Sequence, residues 1–324
     1  MILPWGTKAV AAVTLMLLAA LISLLFEGAG RLVRARGERR VGPPLFQPFY
    51  ELVKLFGKQE QLPQDDPFRL HHGGPLIAGA LSLTTFLYMP VGSLPPVLTG
   101  GGDLILVVTL LFLASLALVL GGSASDEATS GFDVEGELTL LAVSSLPLAV
   151  VLSSLAWFAY RQGLPGAPFS LETFVAKPVW IVPSWSGLLG TFILMVAFLC
   201  LLPLQAGSLR LDLFEGLEVR YSGRGLLLFR LARYFRSLAL SALAVSLFFP
   251  GSLGRWLGLQ ESVLLAIDFL FFWVKVFVIQ MVTLFGTPVL VGRFRTDLLA
   301  RFFALAVTGF ALAGLLLLYF DVRF

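Results

Sequence analysis

The chain has 324 residues, of which 57% are hydrophobic and only 13% charged, with a net charge of +3. Soluble domains carry about a quarter charged residues, so no water-soluble core could hide this much apolar surface. The composition describes an all-α polytopic membrane protein, gives no sign of a nucleic-acid partner, and, with Cys200 as the sole cysteine, excludes an internal disulfide and any iron–sulfur cluster held by this chain alone.

Apolar runs near the roughly 20 residues needed to cross a bilayer predict about eight spans, at 9–26, 75–98, 103–121, 138–160, 179–203, 226–249, 262–286 and 302–320. Lys8 precedes the first run in the manner of a signal peptide. The run is too long for that, however, and no small-residue cleavage site follows. Nothing alternates in the short apolar/polar pattern of a membrane β-barrel.

Arginine and lysine are divided unequally between the two sets of loops. Seventeen lie after spans 1, 3, 5 and 7 or at the basic start of span 6, against five (Lys8, Arg161, Lys177, Arg255 and Arg323) on the other side. By the positive-inside rule the first set is cytoplasmic and both termini face outward. Acids share the same side: "SASDEATSGFDVEGE" carries five and no base. A face dense in both signs suits a protein partner better than an anionic lipid surface.

The chain reads as one integral membrane domain over 1–324, with a long first cytoplasmic loop at 27–74 and a third at 204–225. Within the first loop, Phe46, Phe49, Tyr50, Val53 and Phe56 form one helical stripe and Gln47, Glu51, Lys54 and Lys58 another. Pro43 and Pro44 bar continuation from the preceding basic stretch. A helix over 45–58 would reach only about 21 Å, so it is expected to lie along the cytoplasmic interface with its apolar stripe down. The pattern leaves open whether this helix anchors the chain or receives a peripheral subunit.

"EGAGRLVRARGERRVGPPLFQPFYELVKLFGKQ" resembles the first cytoplasmic loop of a membrane subunit shared by respiratory complex I (its subunit 1) and the energy-converting, membrane-bound nickel–iron hydrogenases of the formate hydrogenlyase type. The likeness rests on Glu27, Gly30, Arg31, Arg34, Arg36, Arg40, Gly42, Pro43, Pro44, Gln47, Pro48, Glu51 and Lys54. The double proline is closer to the hydrogenase branch. "FEGLEVRYSG" at 214–223 and "GRFRTDLLARF" at 292–302 agree with it. The resemblance implies a membrane-anchor and coupling subunit in a prokaryotic cytoplasmic membrane, linking electron transfer to H⁺ or Na⁺ translocation. It also implies that the chain holds no cofactor of its own. Iron–sulfur clusters and a nickel–iron site would belong to small and large hydrogenase-like subunits, with antiporter-like subunits as membrane partners.

Docking residues implied by the resemblance are Arg31, Arg34, Arg36, Arg40, Gln47, Glu51, Lys54, Arg293 and Arg295. Candidates for a proton or coupling path are Glu137, Asp212, Glu215, Asp268 and Lys275. Asp268 and Lys275, seven residues apart, fall on one face of span 7 and are costly at a lipid-exposed site; they read as a structural pair or as relay members. Glu137, which opens span 4, is also what a helix N-terminus favours on electrostatic grounds. Arg230, Arg233 and Arg236 read as snorkelling side chains or as partners of second-loop acids, and His71 and His72 as loop-end residues.

The carboxylate series of the family is thinned here. Gln205, Ser208 and Arg210 stand where third-loop acids are expected, and Ser145 and Leu146 precede Pro147 where relatives often carry a Glu. Two other readings are a quinone-reducing complex, with the first-loop helix lining a quinone tunnel, and a stand-alone secondary transporter. No repeat between the halves supports the transporter.

Overall fold

The computed structural model describes residues 5–60, 70–98, 103–124, 130–163, 166–176, 178–179, 184–205, 218, 221–252, 261–292 and 294–323. Its elements are α1 (Trp5–Gly37), α2 (Gln47–Phe56), α3 (Leu70–Tyr88), α4 (Asp103–Ser123), α5 (Ser130–Arg161), α6 (Leu171–Ala176), α7 (Trp185–Gln205), α8 (Gly223–Phe248), α9 (Glu261–Gln280), a π-helical turn (Met281–Gly286), α10 (Thr287–Val291), α11 (Thr296–Phe302), a second π-helical turn (Phe303–Val307) and α12 (Thr308–Arg323). The described residues form no named strand; Val91 and Leu94 make an isolated β-bridge.

Among the described residues, seven helical stretches are long and apolar enough to cross a membrane. The eighth expected span, α3, is a 19-residue helix of about 28 Å whose start, "LHHGGP", dilutes its hydropathy. Cross-contacts sort the helix ends into two groups, as eight crossings require. At one end the tail of α1, the starts of α3 and α8, and the end of α4 meet: Glu60 reaches both His72 and Gly225, and Gly74 lies against Gly121. At the other end the Leu104 N–H donates to the carbonyl of Phe169, Asp321 accepts from Ser184 and Ser186, and the turn at Gly92 abuts Asp268. Trp157, Arg161 and Tyr319 stack at this second end, where amphipathic rings favour a bilayer boundary.

The core is built around α8, whose Leu238, Ala239, Ala242, Ala244, Val245, Leu247 and Phe248 are all fully buried. Small residues allow its neighbours to approach closely, which is how spans associate where lipid is as apolar as leucine. The same logic packs α3 on α4: a Cβ on Gly74 would stand 2.5 Å from the carbonyl oxygen of Ala117.

The first-loop helix occupies Gln47–Phe56 and packs on α1 and α8. Pro at its first turn suits a position with no intrahelical N–H bond to lose. Its orientation differs in part from the amphipathic expectation. Pro48 and Leu55 are buried, and Glu51 is turned in beside them. Phe46, Tyr50, Val53 and Phe56 are 54–77% exposed, together with Lys54. The expected polar stripe is therefore divided: its carboxylate is used inside the chain and its lysine points away.

Candidate functional site

The charge-rich end of the bundle is organised by Arg31. α1, 33 residues long, continues for about three and a half turns past the length that lipid requires, which carries Glu27 and Arg31 to the junction with α2 and α8. Gly28 lets the backbone at Leu45 cross α1, and Gly30 receives the ring of Phe285; any side chain at either glycine would overlap these neighbours. The chain can thus fold back after Pro43 and Pro44 and set α2 beside Arg31.

The Arg31 guanidinium donates through Nε to Glu27 at 3.1 Å and through one Nη to Glu51 at 2.6 Å. The other Nη donates to the Tyr234 hydroxyl at 2.6 Å. Glu51 uses its second oxygen to accept from Arg230 at 3.1 Å. Arg230 Nε donates to Glu218 at 2.6 Å, and Glu218 also accepts from Arg233 at 2.7 Å. Three carboxylates and three guanidiniums alternate in one chain, so their formal charges cancel. Their side chains are 17–41% exposed, a setting where such pairs are screened less than on an open surface. Each carboxylate–guanidinium contact is charge-assisted and directional. Arg31, Glu51, Arg230 and Glu218 each have two charged partners, so the four inner members tie α1, α2 and α8 together.

Arg236 continues the same face of α8. Its Nε is buried, and the opposite charge acting on it is Glu137 of α5. A smaller cluster closes the α3 side: Glu60 accepts from the Gly225 N–H at 2.6 Å at the N-terminus of α8, and its carboxylate meets His72 Nε2 at 2.5 Å. His71 is buried and stacks on Tyr221 with ring centroids 4.1 Å apart.

The residues expected at a docking face have different fates. Arg31 and Glu51 are paired to each other and half-buried. Arg34 lies over the Phe285 ring at 5.5 Å. Arg36, Arg40 and Lys54 are exposed, Gln47 is half-buried, and Arg295 is 81% exposed beside Asp297. Arg293, Asp212 and Glu215 fall outside the described residues. The other coupling candidates do not form one group. Glu137 belongs with Arg236. Asp268 is 5% exposed near the Gly92 turn and exerts an attraction on Lys275. Lys275 donates to the carbonyls of Phe249 and Gly251, where α8 ends. Among the described residues no three His, Cys, Asp or Glu gather in a metal-holding arrangement.

Several members of the junction do not stand out in the sequence. Tyr234 follows Arg230 by one helical turn, which is a usable signal once the arginines are treated as a face. Glu218 lies in the third-loop motif and proves to be bridged by two arginines. Glu60 is linked to Gly225 across 165 positions, and no local pattern announces such a bond.

Residues 9–319 match the family model described as NADH dehydrogenase. The chain belongs to the NADH dehydrogenase subunit 1 family. Similar proteins include hydrogenase-4 component C of Escherichia coli strain K12, 28% identical over 71% of this chain and 72% of that one. NADH-ubiquinone oxidoreductase chain 1 of Tetraodon nigroviridis is 30% identical over 74% and 73%. The same chain of Oncorhynchus mykiss is 28% identical over 74% and 73%. Among solved structures, a chain of the membrane-bound sulfane sulfur reductase, an archaeal respiratory membrane complex, superposes with a TM-score of 0.78 at 22% identity, covering 96% of this chain and 99% of that one. The subunit 1 fold is thus common to this chain and to membrane subunits of hydrogenase-type and complex I-type assemblies.

Proposed function

We propose that this subunit 1 family member is the membrane-anchor and coupling subunit of a multi-subunit, ion-translocating redox complex, in the first place an energy-converting membrane-bound hydrogenase. The observation that carries the reading is the likeness, over nearly three quarters of the chain, to hydrogenase-4 component C. In this reading the chain sits in a prokaryotic cytoplasmic membrane with both termini outside. Its charge-rich end faces a cluster-bearing small subunit and a nickel–iron large subunit, and antiporter-like subunits flank it in the membrane. The exposed side of α2, with Tyr50, Val53, Phe56 and Lys54, is the docking surface, and Arg36, Arg40 and Arg295 add positive charge beside it. Arg31 and Glu51 act from beneath, holding α2 in place.

Purification of the native complex through a tag on this chain, followed by mass spectrometry, tests the reading. Hydrogenase-like small and large subunits are expected, together with hydrogen evolution or uptake by the preparation. Recovery of the chain alone would overturn it. A second reading, a quinone-reducing complex, draws on the likeness to the NADH-ubiquinone oxidoreductase chain 1 proteins. Bound quinone and inhibition by quinone-site blockers would select it over hydrogen chemistry.

A further inference from the structure

α4, α5, α7 and α8 leave a cleft of about 390 Å³ between them. One wall is α4 from Val108 to Ser115 and the other is α5 from Leu141 to Leu148, each presenting side chains at the three- and four-residue spacing of a single helix face. These stretches make the cleft about 10 Å long along the bundle. Leu240 and Leu243 of α8 form its floor and are 4% and 1% exposed, whereas Phe112, 41% exposed, marks the open side. The walls offer little to water. The hydroxyls of Ser115, Ser144 and Ser145 have given their protons to the carbonyls of Leu111, Leu141 and Ala142 at 2.8, 3.0 and 2.6 Å, and internal water needs several polar partners.

Both walls belong to helices long and apolar enough to cross a membrane, so the medium on the open side is hydrocarbon. An empty seam forfeits dispersion contacts at its lining atoms, and a hydrocarbon chain that enters restores them. Charge stands at one end of the seam. Arg236 precedes Leu240 by four residues on α8, and Glu137 precedes Leu141 by four on α5. Each therefore lies one turn nearer the charge-rich end, on the helix face that lines the cleft. Glu137 attracts Arg236, yet the Arg236 Nε has no hydrogen-bond partner among the described residues and its side chain is partly exposed. An apolar slot with a guanidinium at one end matches an amphiphile with an anionic head and a hydrocarbon tail.

We propose that one phospholipid from the leaflet on the charge-rich side binds here, with an acyl chain in the α4–α5 cleft and its phosphate at Arg236. The site goes beyond the coupling role and holds whichever redox partner the chain serves. Photo-crosslinking of the intact, natively purified complex in nanodiscs tests it, using a phospholipid that carries a diazirine on one acyl chain. Peptide mapping should find label at Leu240 and Leu243, which lipid surrounding the bundle cannot reach, as well as at lipid-facing Leu113, 42% exposed. Ser145→Trp, which fills the cleft from α5, should lose the label on α8 and keep that at Leu113. A diacylglycerol bearing the same chain without the phosphate should also fail to label α8. Cryo-electron microscopy of the parent complex needs no variant and should show one elongated density between α4 and α5, continuous with a head group at Arg236. Label confined to lipid-facing residues, or α8 labelling that survives Ser145→Trp or removal of the phosphate, would overturn the proposal. So would a cleft that is empty or that holds water, a quinone or another subunit's side chain.

Discussion

The ammonium of Lys275 lies 2.6 Å from the carbonyl oxygen of Phe249. A second carbonyl, that of Gly251, accepts at 2.7 Å, and the Phe271 ring lies 4.8 Å from the charge. Lysine at a helix C-terminus satisfies orphan carbonyls and complements the macrodipole. Lys275 thereby holds the end of α8 against the middle of α9, where the sequence alone left open both a relay member and a structural pair. Lys275→Met is expected to destabilise the purified protein by about 1–3 kcal/mol, since it removes two charge-assisted bonds, one to a part-buried carbonyl and one to an exposed one. Lys275→Arg should retain most of the stability. Thermal unfolding in detergent checks both, and equal melting of Lys275→Met and the parent would remove the capping role.

Glu51 is shared between Arg31 and Arg230, so a neutral amide at this position weakens two charge-assisted bonds at once. Glu51→Gln should cost on the order of 1–3 kcal/mol, less than a fully buried pair because these groups are partly exposed. The Arg31→Met/Glu51→Leu double variant should be more stable than the sum of the single changes predicts, by about 0.5–3 kcal/mol. Additivity in a double-mutant cycle read by thermal unfolding would show that the pair is not coupled.

Docking and internal pairing are separable on α2. A photo-crosslinking residue at Tyr50 or Val53, both more than 60% exposed, should join this chain to a soluble subunit in the assembled complex. The same probe at Leu55, buried against the bundle, should give only intramolecular products. Crosslinks to lipid alone from Tyr50 and Val53 would make α2 an interfacial anchor.

Gly30 faces the Phe285 ring so closely that even a methyl group cannot be accommodated without movement. Gly30→Val should lower the yield of folded protein severely, since overpacking of this kind costs about 1–3 kcal/mol or more. Adding Phe285→Ala should restore part of it. The fluorescence-detected size-exclusion profile of the two variants provides the comparison, and no recovery in the double variant would place the glycine's role elsewhere.

Spanning helices were legible because each had to be apolar over a bilayer's width, and that requirement is written in consecutive residues. α2 was legible as a helix for the same local reason, and Pro43–Pro44 marked where it could begin. Its roll about its own axis was not. The stripe containing Glu51 and Lys54 looks uniformly outward until Arg31 and Arg230 are known to stand behind it. The motif glycines were visible as a pattern, whereas their purpose depends on Leu45 and Phe285, one nearby and one 255 positions away. The departures seen in the sequence, Ser145 before Pro147 and Gln205 in the third loop, signalled a loss of carboxylates. They did not indicate that Glu218 and Tyr234 would be recruited to the junction. Charge partners across helices are fixed by packing, which no single segment encodes.

The bond between Glu51 and Arg230 joins residues 179 positions apart. At ribosomal rates of about 5–20 residues per second, some 10–35 s separate their synthesis. During that interval α1 and α2 are already at the membrane, with only part of their counter-charge available. The surface helix can take its final seat only after the sixth crossing has been inserted, so a late step in biogenesis sets the platform on which a peripheral partner would land.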